Sequence, residues 1–202
     1  TTKNRIPLAD ALLVANGLRT NLAPSSEYMV IAGSIRRRRP DIGDIELLYV
    51  PRFEPIGQSN LFGKMEMADL VDVELRRMMT QGVLGKRLNV NGNPIGYGDR
   101  NKALVHVASG IGVDIFSTTA EYWGMALVVR TGPAEWNQAM MTAFLRRGMQ
   151  GHAYAGVSRG GKEIECPTEE SVFALLGLPY LEPWERTPER LQEARLAVPK
   201  MR

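Results

Sequence analysis

Three carboxylates stand at positions where they could hold divalent cations. Asp44 and Glu46 alternate in the apolar run DIELLYV, which is typical of a strand, so both side chains should project from one face with their Cα atoms roughly 6.5 to 7 Å apart. Asp114 lies alone among apolar neighbours in GVDIFS. Magnesium prefers oxygen ligands, and two ions about 3.5 to 4 Å apart can clamp the attacking and leaving oxygens of a phosphoryl displacement. The spacing therefore predicts phosphoryl-transfer chemistry on a sheet surface.

A second group of residues, shortly before these carboxylates, suits phosphate binding. In GSIRRRR, Gly33 lets the backbone approach a phosphate, Ser34 can donate its hydroxyl, and Arg37 can fork onto phosphate oxygens. The alternatives are a solvated strand face for the carboxylates and a solvated loop or a nuclear-localisation patch for the arginines. Together the two groups favour a triphosphate or a nucleic acid, whose charge the carboxylates approach only through metal.

The elements that must position these residues form an α+β pattern. Helical spacing of apolar residues predicts helices in PLADALLVANGLRTNL and in MEMADLVDVELRRMMTQG. Short apolar runs predict strands in EYMVIAGS, DIELLYV, KRLNV, KALVHVA and GVDIFS. The predicted fold class is therefore α+β, with a mixed sheet and helices in the first part of the chain.

A change of pattern near Thr118 predicts a domain boundary. Beyond it the sequence indicates two helices, in TAEYWGMALVVRTG and PAEWNQAMMTAFLRRGM, and a hairpin that turns at Gly160 and Gly161. A capping-box pattern in TEESVFALLGL predicts a further short helix. We therefore predict one domain at residues 1–118 and a small α+β domain at residues 119–202.

Composition narrows the class of protein. The chain of 202 residues is 44% hydrophobic and 23% charged, so it can bury a core and is not typical of a disordered protein. No apolar run approaches the roughly 20 residues that span a bilayer, and TTKNRIPLAD lacks the apolar core of a signal peptide. We expect an intracellular protein, in the cytoplasm or nucleoid, without a membrane partner. The net charge of +3 permits a polyanionic partner, and the single cysteine, Cys166, excludes an internal disulfide framework and a CxxC zinc site.

The two groups of polar residues resemble the palm of the family X DNA polymerases, the polymerase beta-like nucleotidyltransferases. That palm carries G-S-x-R-R followed by G-x-D-x-D, and the matching residues here are Gly33, Ser34, Arg36, Arg37, Gly43, Asp44 and Glu46. Further segments match in the same order, namely RIP before the first helix, GVDIF, the T-G-x-x-x-x-N of RTGPAEWNQAM, and LEPWER at the Y-x-x-P-x-x-R ending. The chain thus resembles a minimal palm-plus-thumb form, with the palm at 1–118 and the thumb at 119–202.

The resemblance implies a DNA polymerase that fills gaps in repair or replication. In that reaction a primer 3′-hydroxyl attacks the α-phosphate of a nucleoside triphosphate and pyrophosphate leaves. The implied cofactors are two Mg²⁺ ions, or Mn²⁺ in their place. The implied partners are a DNA primer-template or gapped DNA and the nucleoside triphosphate, bound by a monomer.

The resemblance also implies roles for individual residues. Asp44, Glu46 and Asp114 would be the catalytic carboxylates and metal ligands, with Asp114 nearest the primer hydroxyl. The implied nucleotide-binding residues are Arg5, Gly33, Ser34, Arg37, Gly43, Thr131, Gly132 and Asn137. Among them, Ser34 and Arg37 would hold the β- and γ-phosphates.

The hairpin tip in GVSRGGKE carries two candidate DNA contacts, Arg159 and Lys162. The same stretch imitates a P-loop, but Glu163 stands where that motif requires Ser or Thr. A hairpin whose two cations approach the DNA backbone is therefore the favoured interpretation.

Several positions depart from the family pattern. Glu46 stands where the family has Asp, and Val129-Arg130 replaces an aromatic pair connected with sugar discrimination. Met141 stands where the family often carries an arginine directed at the template, and Gly112 also replaces an arginine. Two alternatives therefore stay open, a template-independent nucleotidyltransferase and a non-catalytic module that binds DNA or nucleotide.

Overall fold

The chain folds into two compact units. The computed structural model describes residues 4–57 and 65–197. The first unit comprises the residues up to Ile31 together with Pro40–Ser117, and the second comprises Ala32–Arg39 together with the residues from Thr118 onward. Both units contain helices together with runs of mostly antiparallel strands, which confirms the predicted α+β class.

The described residues form the following strands and helices. The strands are β1 (Ile6–Pro7), β2 (Ser26–Ile31), β3 (Asp41–Ile42), β4 (Asp44–Pro51), β5 (Phe53–Ile56), β6 (Glu66–Asp69), β7 (Leu84–Lys86), β8 (Asn101–His106), β9 (Gly112–Ser117), β10 (Met149–His152), β11 (Gly156–Arg159) and β12 (Lys162–Ile164). The α-helices are α1 (Leu8–Leu22), α2 (Gly33–Arg36), α3 (Leu70–Thr80), α4 (Trp123–Thr131), α5 (Ala134–Leu145), α6 (Glu169–Leu175) and α7 (Pro188–Ala197). Short 3₁₀ turns lie at Ala23–Ser25, Ala120–Tyr122 and Pro183–Glu185.

A mixed five-stranded sheet forms the centre of the first unit. Its strand order is β2-β4-β9-β8-β7, in which β4 and β9 are parallel and the other neighbours are antiparallel. Along β4, Ile45, Leu47 and Tyr49 are fully buried on one face. On the other face Leu48 is also buried, whereas Asp44 and Glu46 stay partly exposed. The open part of this sheet therefore lies where β4 begins.

The helix α1 buries one face, as its spacing predicts. The buried side chains are Ala11, Ala15, Leu18 and Leu22, which recur every three or four residues. Every helix in the described part of the chain is too short or too polar to cross a membrane.

The helix predicted from Met65 begins later than its apolar pattern indicates. Residues Glu66–Asp69 form β6, which pairs with β5 in an antiparallel hairpin, and α3 begins at Leu70. Asp69 is the reason for this boundary, because its side chain caps the helix by accepting a hydrogen bond from the Val71 amide at 3.0 Å. The strand predicted in KRLNV, residues 86–90, lies instead at Leu84–Lys86, so the predicted and observed strands share only Lys86.

The second unit has an apolar core of its own. Its buried residues include Met125 and Val128 of α4, Trp136 and Phe144 of α5, and Phe173 of α6. The Trp136 and Phe173 rings stack with their centroids 5.8 Å apart. The three-stranded antiparallel sheet β10-β11-β12 lies in the same unit, and the predicted capping box at the beginning of α6 is present.

The segment Ala32–Arg39 groups by its contacts with the later part of the chain. The predicted domains, 1–118 and 119–202, assign this segment to the first domain, because the prediction follows chain order. Within the second unit, Arg36 and Arg37 both donate hydrogen bonds to Thr131 and so join this segment to α4. The assignment of palm and thumb to the two ranges stays a prediction.

Candidate active site

The three predicted carboxylates lie on one face of the sheet in the first unit. Parallel pairing of β4 with β9 sets Glu46 directly beside Asp114 and Asp44 beside Gly112. Neighbouring strands are about 4.8 Å apart, and alternate residues of a strand share a face. Asp44, Glu46 and Asp114 are all partly exposed, whereas the intervening Ile45 is fully buried. The sheet therefore gathers the three side chains at one partly open surface.

Asp114 forms a salt bridge with an arginine that the sequence analysis did not select. The Nη2 atom of Arg87 lies 2.7 Å from Oδ1 of Asp114, and the two side chains are 23% and 17% exposed. The Nε of Arg87 also donates a hydrogen bond to the Leu104 carbonyl at 3.1 Å. The carboxylate face therefore already carries one positively charged side chain, the guanidinium of Arg87.

The donor types at this surface suit a hard divalent cation. Carboxylate oxygens are the ligands that Mg²⁺ takes, and three carboxylates on one face supply the negative charge that such an ion needs. As placed, no three His, Cys, Asp or Glu side chains within residues 4–57 and 65–197 converge closely enough to hold one ion. The donor types and their shared face suit magnesium, whereas the side chains as placed do not form a closed ligand set.

The opposite face of β4 is held by a buried polar network. Tyr49 donates a hydrogen bond to Asp69, and Nζ of Lys102 donates to the Tyr49 hydroxyl at 3.1 Å and to the Asp99 carbonyl at 3.0 Å. Burial raises the pKa of Tyr49 and lowers the pKa of Lys102. Because Tyr49 and Glu46 lie on opposite faces of one strand, this network lies behind the carboxylates and supports their strand.

Three of the predicted nucleotide-binding residues meet within the second unit. The guanidinium of Arg37 donates to the Thr131 carbonyl, and a Cβ built at Gly132 would lie 3.1 Å from Nη1 of Arg37. Gly132 and Gly33 both have positive φ, at 67° and 62°, which favours glycine. Gly33 begins the short helix α2, and the buried hydroxyl of Ser34 has no hydrogen-bond partner among the described residues.

A buried ion triad lies beside these residues, and the sequence analysis assigned it no role. Glu169 accepts hydrogen bonds from Nη1 and Nη2 of Arg36, both at 2.7 Å, and from Nη1 of Arg186 at 2.8 Å. Arg36 also donates to the Thr131 hydroxyl at 2.7 Å. Burial by itself would raise the pKa of Glu169, but the hydrogen bonds from the two arginines lower it below its usual range. The triad joins the arginine-rich segment to α4 and α6.

The remaining predicted nucleotide-binding residues lie at separate places in the two units. Arg5 forms an exposed ion pair with Asp41 in the first unit, where Gly43 joins β3 to β4. Asn137 lies on α5 in the second unit, where its Nδ2 donates to the Val129 carbonyl at 2.7 Å. Its buried Oδ1 has no hydrogen-bond partner in the described part of the chain.

The departure at Val129-Arg130 places a cation where the family has an aromatic ring. The guanidinium of Arg130 stacks on the Tyr154 ring, with 4.6 Å between its carbon and the ring centroid. The guanidinium of Arg130 thus packs on a ring from the segment that joins β10 to β11.

The predicted DNA contacts lie together on a hairpin. Arg159 and Lys162 are exposed and face each other in the register of β11 and β12, at the turn through Gly160 and Gly161. Strands flank this turn on both sides, so its context differs from the strand–loop–helix context of a P-loop.

The residues that the sequence analysis missed gave different signals. Arg186 is the last residue of the LEPWER motif, so the motif marked a position whose role the structure supplies. Arg87 lies outside every recognised motif, and its contact with Asp114 depends on strand order, which one sequence does not reveal.

Comparison with known proteins supports the family that the sequence motifs resemble. Residues 126–187 match the sequence profile described as DNA polymerase beta thumb. DNA polymerase lambda of Rattus norvegicus is 30% identical to this chain over 202 residues, a match that covers 91% of the chain and 33% of the relative. The chain therefore spans about a third of the length of that curated relative.

Proposed function

Because this chain belongs to the family X DNA polymerases, we propose that it adds deoxynucleotides to a primer 3′-hydroxyl. The proposed biological role is gap filling during DNA repair or replication. One observation carries the proposal: the β4–β9 register gathers Asp44, Glu46 and Asp114 on one partly exposed face. The match of residues 126–187 to a polymerase thumb gives independent support.

The proposed reaction gives the carboxylates and the phosphate-binding residues separate roles. The 3′-oxygen forms a bond to the α-phosphorus, the bond from that phosphorus to the bridging oxygen breaks, and pyrophosphate leaves. Asp114 assists removal of the hydroxyl proton, while Ser34 and Arg37 hold the β- and γ-phosphates. Two Mg²⁺ ions, or Mn²⁺ in their place, would be held by Asp44, Glu46 and Asp114 and would neutralise charge on the attacking and leaving oxygens.

A template-independent nucleotidyltransferase is the second candidate. The observation that favours it concerns Met141, which stands where the family often carries an arginine directed at the template. Met141 packs against the apolar core of the second unit. A thioether in that place cannot form a charge-assisted hydrogen bond to a template phosphate or base.

Primer extension on three labelled substrates distinguishes these functions. The substrates are a one-nucleotide gap, an open template-primer and a bare single strand, each offered one dNTP or NTP with magnesium. Addition of only the complementary nucleotide, fastest at the gap, is the expected result. Untemplated addition would support the second candidate, whereas tight DNA binding without any addition would indicate a non-catalytic binding module.

Asp114→Asn tests the role proposed for the carboxylates. We expect turnover to fall by about two orders of magnitude or more, because the amide keeps the shape but loses the charge and the proton acceptor. DNA affinity should stay nearly unchanged. Asp10→Asn, at an exposed position on α1, is the matched control and should retain full activity. Retention of activity by Asp114→Asn would exclude the proposed role of this residue.

A further inference from the structure

Arg87 is fastened to the central sheet by its backbone. It follows β7 directly, and its amide donates to the Ala103 carbonyl of β8 at 3.3 Å. Its own carbonyl accepts a hydrogen bond from the Ile95 amide at 2.7 Å. Both backbone groups are thus satisfied, so the side chain leaves the sheet from a fixed point.

The side chain of Arg87 is fixed at two further points. Its Nε donates to the Leu104 carbonyl at 3.1 Å, and its Nη2 lies 2.7 Å from Oδ1 of Asp114. Both atoms belong to one planar group, so the contact with Leu104 fixes the direction from which Nη2 reaches the carboxylate. The pair is mostly buried, which protects it from screening by salt.

Gly112 supplies the space through which this guanidinium passes. A Cβ built at Gly112 would lie 3.2 Å from Cζ, 3.3 Å from Nη2 and 3.5 Å from Nε of Arg87. The first two distances are tighter than ordinary contacts, and the three atoms nearest to that Cβ all belong to Arg87. The guanidinium of Arg87 can therefore lie where it does because Gly112 has no side chain.

We propose that Arg87 is a positioning residue for Asp114. Laid across Gly112 and anchored on Leu104, its guanidinium holds the carboxylate in one rotamer on the face that also carries Glu46 and Asp44. A reacting group displaced by about 1 Å can lose about a hundredfold in rate, so fixing one rotamer has a large effect. The consequence for catalysis rests on the proposed polymerase function, whereas the effect on the Asp114 rotamer does not.

The first experiment measures the Asp114 rotamer without any substrate or metal. Three-bond NMR couplings report the χ1 population of Asp114 in the whole chain. We expect a single rotamer in the native protein and in Arg77→Ala, a control that removes an exposed ion pair with Glu74 on α3. In Arg87→Ala the couplings should become averaged. Unchanged couplings in Arg87→Ala would refute the proposal.

The second experiment measures primer extension by the same variants. Arg87→Ala should lose about tenfold to a hundredfold in kcat, with little change in the nucleotide KM, because misplacement of Asp114 affects the chemical step. Arg87→Lys keeps the charge but lacks the planar fork, so its kcat should lie between those of the native protein and Arg87→Ala. A native kcat in Arg87→Ala would overturn the proposed catalytic effect.

A second-site variant separates positioning from a structural role. With Arg87 shortened to Ala, the space beside Gly112 is open, and an arginine introduced by Gly112→Arg can enter it and reach Asp114. The double variant should recover at least part of the lost kcat and the single Asp114 rotamer. A loss of kcat that follows a fall in the melting temperature, without recovery in the double variant, would assign Arg87 a structural role instead.

Failure of the proposed polymerase function gives a different pattern of results. If the native chain extends no primer, the polymerase proposal fails. The NMR couplings still decide whether Arg87 holds the Asp114 carboxylate, since they need neither nucleotide nor metal.

Discussion

Replacing Glu169 by glutamine should destabilise the second unit strongly. Glu169 is 5% exposed, and it receives hydrogen bonds from Arg36, from Arg186 and from the Tyr180 hydroxyl at 3.2 Å. The Arg186 side chain is fully buried. The glutamine keeps the size of the side chain, but it removes the charge that compensates two cations and turns one acceptor oxygen into a donor.

The expected cost follows from this burial. Removing one partner of a buried ion pair costs about 3–5 kcal/mol, because the remaining charge has neither a partner nor water. At this chain length each kcal/mol lowers the melting temperature by about 2–4 °C, so Glu169→Gln should lower it by roughly 6–20 °C. Thermal unfolding followed by circular dichroism at neutral pH measures the shift.

The pH dependence gives an independent check on this reasoning. Hydrogen bonds from the arginines lower the pKa of Glu169 in the folded protein, against the effect of burial. The stabilisation is therefore complete above the ordinary carboxyl value near 4.5 and is lost as the pH falls through the lower folded value. The stability difference between the native protein and Glu169→Gln should accordingly narrow in acid.

The matched control is the next residue of the same helix. Glu170 is exposed, so Glu170→Gln should change the free energy of unfolding by about 0.5 kcal/mol or less. Similar melting temperatures for the two variants at neutral pH would refute the view that the buried triad stabilises this unit.

Two further predictions concern packing and DNA binding. Gly124→Ala should destabilise the protein by about 3 kcal/mol or more, because its Cβ would lie 2.0 Å from the Thr168 carbonyl oxygen. The Cβ of Gly17→Ala in α1 meets nothing within 4 Å, so this variant should be more stable by about 0.5–1 kcal/mol. Urea unfolding measures both free energies, and equal effects would contradict the packing argument. Arg159→Ala and Lys162→Ala should each reduce the slope of log K against log salt for duplex DNA by about 0.9 if each cation contacts one phosphate. Binding titrations at several salt concentrations measure that slope, and an unchanged slope would remove these residues from the DNA interface.

Local pattern was sufficient for much of the fold. The buried stripe of α1 and the alternation at the beginning of β4 are both set by residues close in sequence, so their periodicity predicts them. The beginning of α3 was mispredicted, because the apolar residues of β6 continue the helical pattern of the segment that follows. Only the cap at Asp69 and the pairing with β5 set that boundary.

In the candidate site, too, periodicity predicts some features and strand order is needed for others. Alternation along one strand predicts that Asp44 and Glu46 share a face, whereas the placement of Asp114 beside Glu46 needs the strand order of the sheet. The salt bridge from Arg87 needs the order of yet another strand. Periodicity within one sequence holds no information on such pairings. The grouping of Asp114 with Asp44 and Glu46 therefore came from the family resemblance, and the Arg87 contact came from the structure.

The four arginines at 36–39 show why a run of charge is a poor measure of polyanion binding. Arg36 lies in the triad with Glu169, Arg37 donates to the Thr131 carbonyl, and Arg38 stacks on the Trp184 ring at 3.7 Å from its centroid. Three of the four guanidiniums thus have environments of their own, although the sequence shows four equal cations. Replacing Arg36 would leave Glu169 with one arginine fewer, so a loss of DNA affinity in such a variant would report on folding as much as on binding. Contact with a polyanion is therefore better tested at Arg159 and Lys162, whose exposed positions on a hairpin let charge be removed without breaking a buried pair.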